Sequence, residues 1–296
     1  MASAFKDLFS GIVGGGALVL AGHPLDLIKV RLQTQPKPAP GQPPMFRGAL
    51  DCAMQTVRKE GVRALYKGVA SPLVGVPPIY AIVFGAYGFS KRLLMPQGAV
   101  EPSLSVVWWA GCATGVATTV ITTPIELVKA RLQLQYNRSG EKARYSGFGH
   151  CMATVAREEG LRALFRGTVV TLWRDVPGTG AWFLANEVTK RMLIPEGGSK
   201  GDLGAGALLF AGGMAGIANW LAIFPLDVIK SRLQTDQSGK YRSGHAGIVQ
   251  VARELVAEGG VRGLFKGLTP ALVRSFPANA ACFAATDYTM KLLNKF

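Results

Sequence analysis

Histidine is scarce in this chain, acids are outnumbered, and the common catalytic signatures are missing. Three histidines occur in 296 residues, and only His23 falls in an apolar stretch. No HExxH, GxSxG or Walker loop is present, and no acid pair stands beside a histidine. That argues against a membrane-embedded hydrolase, a metalloenzyme or a P-loop ATPase: no catalytic residues, no metal ligands and no cofactor site are expected. The four cysteines, Cys52, Cys112, Cys151 and Cys282, lack metal-ligand spacing and read as small buried residues. No secretory signal is expected either, because Met1 to Asp7 leads straight into an apolar segment without a small-residue cleavage site.

Acids number 18 against 33 Lys and Arg, a formal net charge of +15, yet mean hydropathy is +0.23 and 49% of residues are hydrophobic. Apolar and strongly basic at once fits a membrane protein whose loops carry the charge. A pI near 9.9 also raises the case of a nucleic-acid binder. The bases are dispersed over three loops beside apolar spans, which fits anionic lipid better and argues against nucleic acid as a partner.

One ten-residue pattern occurs three times: PLDLIKVRLQ from Pro24, PIELVKARLQ from Pro124 and PLDVIKSRLQ from Pro225. A fixed period of about a hundred residues sets the architecture. It divides the chain into units 1–98, 99–199 and 200–296 around an approximate threefold axis. Each unit has two apolar segments long enough to span a bilayer: about Phe5–Leu32 and Val69–Leu93, Leu104–Leu134 and Thr168–Met192, Ala205–Leu233 and Leu268–Leu293. Between them lie Ala49–Lys59, Gly149–Glu158 and Ile248–Val256, read as amphipathic helices on the membrane surface. The expected fold is an all-α membrane protein, six transmembrane helices in a threefold pseudosymmetric barrel with three short surface helices on one side.

Smaller features keep the same interval. Gly11/Gly15, Gly111/Gly115 and Gly212/Gly216 put two glycines four apart on each first helix, where backbones can approach closely. Tyr66-Lys67-Gly68, Phe165-Arg166-Gly167 and Phe265-Lys266-Gly267 open each second helix. Prolines recur inside it, at Pro77 and its neighbour Pro78, Pro177 and Pro277. The three segments that join the paired helices hold 23 of the 33 Lys and Arg, so an even number of crossings puts both termini opposite the basic face.

The signature carries chemistry. Proline removes a helix backbone bond and crowds the preceding turn. After each proline an acid and a base share one helix face: Asp26/Lys29, Glu126/Lys129 and Asp227/Lys230. Around a threefold axis each acid meets a neighbour's base, closing a ring of up to three ion pairs. Charges at membrane depth are rare unless they are paired or line a watery path. Aligned on their prolines, the second helices place Gly75, Arg174 and Arg274 at one level and Val76, Asp175 and Ser275 at the next. Gates repeat, whereas a site for an asymmetric molecule does not. Arg274 suits a carboxylate, Asp175 a cation, and Arg174 is expected to pair with Asp175 in an empty site. Gly75 and Val76 leave room for a variable tail. Trp220 is placed to face a quaternary ammonium. The helix N-termini at Gly68, Gly167 and Gly267 offer backbone N–H groups to phosphate.

The triplicated Pro-x-acid-x-x-Lys-x-Arg signature resembles the mitochondrial carrier family over essentially the full chain. Within it, GHPLDLIKVRLQTQ from Gly22, GQPPM from Gly41, TLWRDVPGTG from Thr171, FPLDVIKSRLQT from Phe224 and RSFPANAACF from Arg274 resemble its carnitine/acylcarnitine branch. The resemblance implies a solute exchanger of the mitochondrial inner membrane, functional as a monomer. Its basic loops face the matrix and its termini the intermembrane space. The signature ring becomes a matrix gate braced by Gln33, Gln133 and Gln234. His23 joins Arg174, Asp175, Arg274, Gly75 and Val76 as a substrate residue. Cardiolipin is the implied lipid at Lys67-Gly68, Arg166-Gly167 and Lys266-Gly267. The family's second gate has an aromatic-acid-x-x-base pattern. Here it is degenerate: Tyr87 and Lys91 without an acid, Glu187 and Lys190 together, Asp287 without a base three residues on. At most two ion pairs are expected there. A rival reading within the same fold is a carrier of basic amino acids, disfavoured because Asp175 and His23 stand where that group typically has other residues.

Overall fold

A computed structural model describes residues 2–35, 42–99, 101–135, 144–195, 198–199, 202–236, 240–241 and 244–293; Gly41 of the GQPPM stretch lies outside them. The described residues form nine α-helices and no strand. Six are long: α1 (Ala2–Thr34), α3 (Ala70–Leu94), α4 (Leu104–Leu134), α6 (Thr168–Leu193), α7 (Ala205–Thr235) and α9 (Leu268–Leu293). At 1.5 Å per residue each exceeds the roughly 30 Å of a hydrocarbon core. Three are short: α2 (Ala49–Glu60), α5 (Phe148–Glu158) and α8 (His245–Gly259). Each is followed by a 3₁₀ turn, Val62–Tyr66, Leu161–Phe165 or Val261–Phe265.

Each long helix packs against two neighbours in the order α1, α3, α4, α6, α7, α9 and back to α1, so the ring is closed. The signature helices α1, α4 and α7 also touch one another. Close approach depends on the spaced glycines. A Cβ at Gly115 would lie 2.5 Å from the Asp175 carbonyl oxygen, so only glycine lets α6 come this near to α4. Among the described residues four long helical stretches are apolar enough to cross a membrane by composition, Phe9–Thr34, Val62–Leu94, Leu104–Leu134 and Gly206–Thr235. Helices α6 and α9 are as long but fall short on hydropathy. They carry Arg174, Asp175, Glu187, Lys190 and Arg191, and Arg274 and Asp287, which lowers their mean.

The short helices lie at one end of the ring, each over the last turns of a signature helix. Ile28 and Leu32 pack with Phe46 and Cys52, Val128 and Leu132 with Cys151 and Val155, Ile229 and Leu233 with Val251 and Leu255. Cys52 and Cys151 are fully buried there, and burial pushes both thiols up to about 11. Such thiols are unreactive packing groups. A triplicated brace fastens the layers. The Arg31 guanidinium donates to Glu60 at 2.6 and 3.2 Å, Arg131 to Glu159 at 2.9 Å, and Arg232 to Glu258 at 3.1 and 2.7 Å.

The turns entering α3, α6 and α9 have Gly68, Gly167 and Gly267 at φ of 80°, 88° and 85°, a conformation that suits glycine. Each glycine also lies under the next signature helix. A Cβ would come 3.2 Å from the Lys129 carbonyl at Gly68 and 3.2 Å from the Lys29 carbonyl at Gly267. Lys67 pairs with Glu60 and donates to the Gln135 carbonyl at 2.8 Å; Arg166 donates to Asp236 at 2.8 and 2.9 Å. These two side chains, expected at a lipid headgroup, hold neighbouring units together. Lys266 occupies the matching position after the third turn.

Candidate functional site

The signature charges meet near the surface-helix end of the lumen. Lys29 Nζ lies 2.5 Å from Asp227 Oδ2, Lys129 Nζ 2.7 Å from Asp26 Oδ2, and Lys230 contacts Glu126 directly. Each pair joins two different signature helices, so three pairs close the ring and seal the lumen there. Gln33 braces it, donating to Asp227 at 3.0 Å and accepting from the Ser231 hydroxyl at 2.8 Å. Gln133 and Gln234 are buried at the equivalent positions. Both amide atoms of Gln133 and the Gln234 Nε2 find no hydrogen-bond partner among the described residues. One glutamine of the expected three therefore acts on the ring in this state.

A polar cavity of about 240 Å³ is lined by the six ring charges together with Arg174, Asp175, Arg274 and Trp220. Arg174 donates to Asp175 at 2.7 Å, to Asp227 at 3.1 Å and to both Glu126 oxygens at 3.0 Å. Arg274 Nε lies 3.1 Å from Asp26 Oδ1. Every ring acid thus meets a lysine from one side and an arginine from the other. Five cations (Lys29, Lys129, Lys230, Arg174, Arg274) face four acids (Asp26, Glu126, Asp227, Asp175), a formal surplus of +1. Asp175 also accepts from Thr122 Oγ1 at 3.3 Å. Lys29 Nζ sits 4.0 Å from the centroid of the Trp220 ring, so that ring already faces a cation.

Three expected substrate residues lie elsewhere. His23 is 1% exposed, its Nε2 is 2.8 Å from the Lys67 carbonyl, and its ring stacks near Tyr66. It pins α1 to the turn before α3. A Cβ at Gly75 would meet Ile125 of α4 at 2.9 Å, so Gly75 permits helix packing rather than opening a pocket. Val76 is buried beside Gly15 of α1. The level of these residues along the axis matches the arginines, but their Cβ atoms point into seams between helices.

Other residues of the site were not read from the sequence. Gly22 makes room for a guanidinium, since a Cβ there would lie 2.5 Å from Arg274 Nε. A second cavity of about 610 Å³ opens beyond the first, walled by Tyr80, Val83, Tyr87, Trp182, Phe183 and Phe283. Thr179, Asn219, Trp220 and Arg274 border both cavities. The available signal was a set of aromatic residues on α3, α6 and α9, of which Phe183 and Phe283 follow the repeat and Tyr80, Tyr87 and Trp182 do not.

At the terminus end two acids pair within their own helices. Glu187 accepts from Arg191 at 2.7 Å and Asp287 lies 2.7 Å from Lys291. The i, i+4 spacing supplies a partner one residue beyond the one expected. Arg191 also donates to the Pro102 carbonyl at 2.5 Å, before α4. An aromatic contact joins helices here: the rings of Tyr87 and Phe183 stack at 4.0 Å with an interplanar angle of 6°. Lys91 and Lys190 lie in the last turns of α3 and α6.

A polar cavity inside a closed ring of membrane-length helices, crossed at one end by three ion pairs between helices, fits a solute transporter. The chain belongs to the mitochondrial carrier family, matching the family model described as mitochondrial carrier protein at residues 1–98, 101–197 and 201–296. It is therefore a multi-pass transporter of the mitochondrial inner membrane and not an enzyme. It is 45% identical over 292 residues to the mitochondrial carnitine/acylcarnitine carrier protein of Rattus norvegicus, covering 99% of this chain and 95% of that one. It is 42% identical to the mitochondrial basic amino acids transporter of Bos taurus, covering 96% and 91%, and 41% identical to mitochondrial magnesium exporter 1 of Drosophila melanogaster, covering 97% and 94%. These identities lie too close together to select a substrate, so the site must do so.

Proposed function

We propose that this carrier exchanges carnitine and acylcarnitines by alternating access through the single central site. The observation that carries the reading is the junction of a charged cavity with an apolar one. Arg274 and Arg174 offer forked donors to a carboxylate. Asp175 and the face of Trp220 suit a quaternary ammonium, which donates no hydrogen bonds and binds by charge and ring contact. The 610 Å³ aromatic cavity beyond them suits a hydrocarbon tail, and none of its described lining residues is an acid that would pair with a second ammonium. A divalent ion needs clustered oxygen ligands, whereas Asp26, Glu126 and Asp227 are each already held by two bases, which leaves Asp175 as a single carboxylate.

A bound carboxylate competes with the ring acids for Arg274 and Arg174. Arg274 drawn to substrate leaves Asp26 with a lysine alone, Arg174 leaves Glu126 and Asp227 so, and the ring loosens only when the site is filled. In this reading the ring is the matrix gate, the termini face the intermembrane space, and the chain works as a monomer. The glycine turns at Gly68, Gly167 and Gly267 receive the phosphates of cardiolipin on their backbone N–H groups. The test uses proteoliposomes loaded with carnitine. External acylcarnitine is expected to drive carnitine efflux, while lysine, ornithine and magnesium are not. Efflux driven by lysine or ornithine, with acylcarnitine inert, overturns the assignment in favour of basic amino acids.

A further inference from the structure

Tyr87 and Phe183 belong to helices that are not neighbours in the ring, because α4 stands between α3 and α6. For their rings to stack at 4.0 Å, both side chains must lean across the lumen. Trp182 meets Phe183 edge-on at 5.1 Å and supports it from behind. Both stacked rings border the large apolar cavity, whose opposite end is the charged site at Arg274 and Trp220. Along α6 the step from Asp175 to Phe183 is eight residues, about 12 Å of helix. A molecule anchored by its charges at the floor therefore sends any tail upward toward these two ring faces.

We propose that the Tyr87–Phe183 stack is the specificity element for tail length. It roofs the apolar compartment, so the space between Arg274 and the stack sets the longest tail that the closed carrier encloses. Alternating access makes this a limit on transport as well as on binding. The terminus end must close over the substrate before the signature ring opens, and a tail that props the rings apart blocks that closure. Aromatic rings are suited to the role: they are stiff, and stacking holds them in a fixed geometry. The inference rests on the carnitine/acylcarnitine reading, and its test separates the two.

Purified carrier is reconstituted with internal carnitine, and exchange is measured against external acylcarnitines from acetyl to palmitoyl. The readout is the ratio of long-chain to acetyl exchange within each variant, which cancels differences in the amount of folded protein. Phe183→Ala is expected to raise that ratio several-fold over the unsubstituted carrier, Phe183→Leu to raise it less, and Phe183→Tyr to leave it unchanged. Thermal-shift titration of the same variants with the same acyl series reads binding even where transport is lost, and is expected to move its optimum to longer chains. An unchanged ratio together with an unchanged thermal-shift profile overturns the roof. Absence of any carnitine or acylcarnitine exchange in the unsubstituted carrier overturns the substrate reading, and the roof with it.

Discussion

Arg274 illustrates how much one backbone position decides. Its guanidinium reaches Asp26 only because Gly22 has no side chain, and a Cβ would press on Nε at 2.5 Å. Gly22→Ala is therefore expected to displace the arginine, weaken substrate affinity and leave the folded barrel intact. Exchange kinetics check this through a raised KM, and an unchanged KM refutes the role. Arg274→Ala and Asp175→Ala remove the charges themselves. A hydrogen bond to a charged group contributes about 1.5–3 kcal/mol, so each loss lowers exchange at least roughly tenfold and, if both ends must anchor, abolishes it. Wild-type-like exchange by either variant at equal reconstituted amounts removes that residue from the site. Gly75→Leu has a different expectation. With Ile125 in the way at 2.9 Å, it lowers thermal stability and slows exchange of short and long acyl esters alike.

The same residues show what the sequence makes legible. Arg174, Asp175 and Arg274 stood out because they break the threefold repeat, and the structure groups all three around the polar cavity. His23, Gly75 and Val76 share the right depth but not the right direction. Depth follows from counting residues at 1.5 Å each; direction changes by about 100° per residue and is settled by neighbours that no local pattern names. A long arginine reaches the lumen from a position whose Cβ faces a seam, and glycine or valine does not.

At the scale of elements, the signature arginines tie each surface helix to its spanning helix. Arg31 is 1% exposed and donates to Thr56 as well as to Glu60, so neutralising Glu60 removes the opposite charge from a buried guanidinium that keeps other bonds. Glu60→Gln is expected to cost about 1.5–3 kcal/mol and to lower the unfolding temperature in detergent. An unshifted transition shows the brace to be dispensable. Burial alone would raise the Glu60 carboxyl, but hydrogen bonds from Arg31 and Lys67 outweigh it and hold Glu60 below the usual carboxylate range. Glu159 is held down too, first by its bond from Arg131. A depressed folded-state value contributes stability above the unfolded value, near 4.3, and loses it as pH falls through the folded one. Stability from these braces is thus level between pH 8 and pH 5 and declines only in stronger acid. A decline setting in above pH 5 that Glu60→Gln abolishes would contradict this. Glu60, Glu159 and Glu258 recur at regular intervals in the sequence, but their partners lie more than two dozen residues away on another helix. Periodicity locates such groups without pairing them. Paired helices, glycine seams and surface helices were legible because each is a local pattern seen three times.

For the whole molecule, the proposed alternating access makes the ring a closure that has to open. Lys129→Ala leaves Asp26 with Arg274 alone, so the seal weakens on one edge and coupled exchange is expected to fall. The reversed pair Asp26→Lys with Lys129→Asp restores the Coulomb attraction between α1 and α4. It also sets a lysine at position 26 against Arg274, where an acid had been shared by two cations. Recovery is therefore expected to be partial: above that of Lys129→Ala and of Asp26→Lys alone, and below the unsubstituted carrier. The same ceiling applies at Glu126 and Lys230, because Arg174 sits on Glu126 as Arg274 sits on Asp26. A third substitution discriminates between a gate and a scaffold. Adding Arg274→Ala to the reversed pair removes the new repulsion and so steadies the ring, which a thermal-shift measurement reads as a higher unfolding temperature than the reversed pair alone. The partial carnitine exchange of the reversed pair is nevertheless lost, because the carboxylate ligand is gone. If the triple variant gains no stability, the arginine does not share the ring's charge balance. If it keeps the exchange of the reversed pair, Arg274 belongs to the gate alone and the substrate carboxylate is held elsewhere.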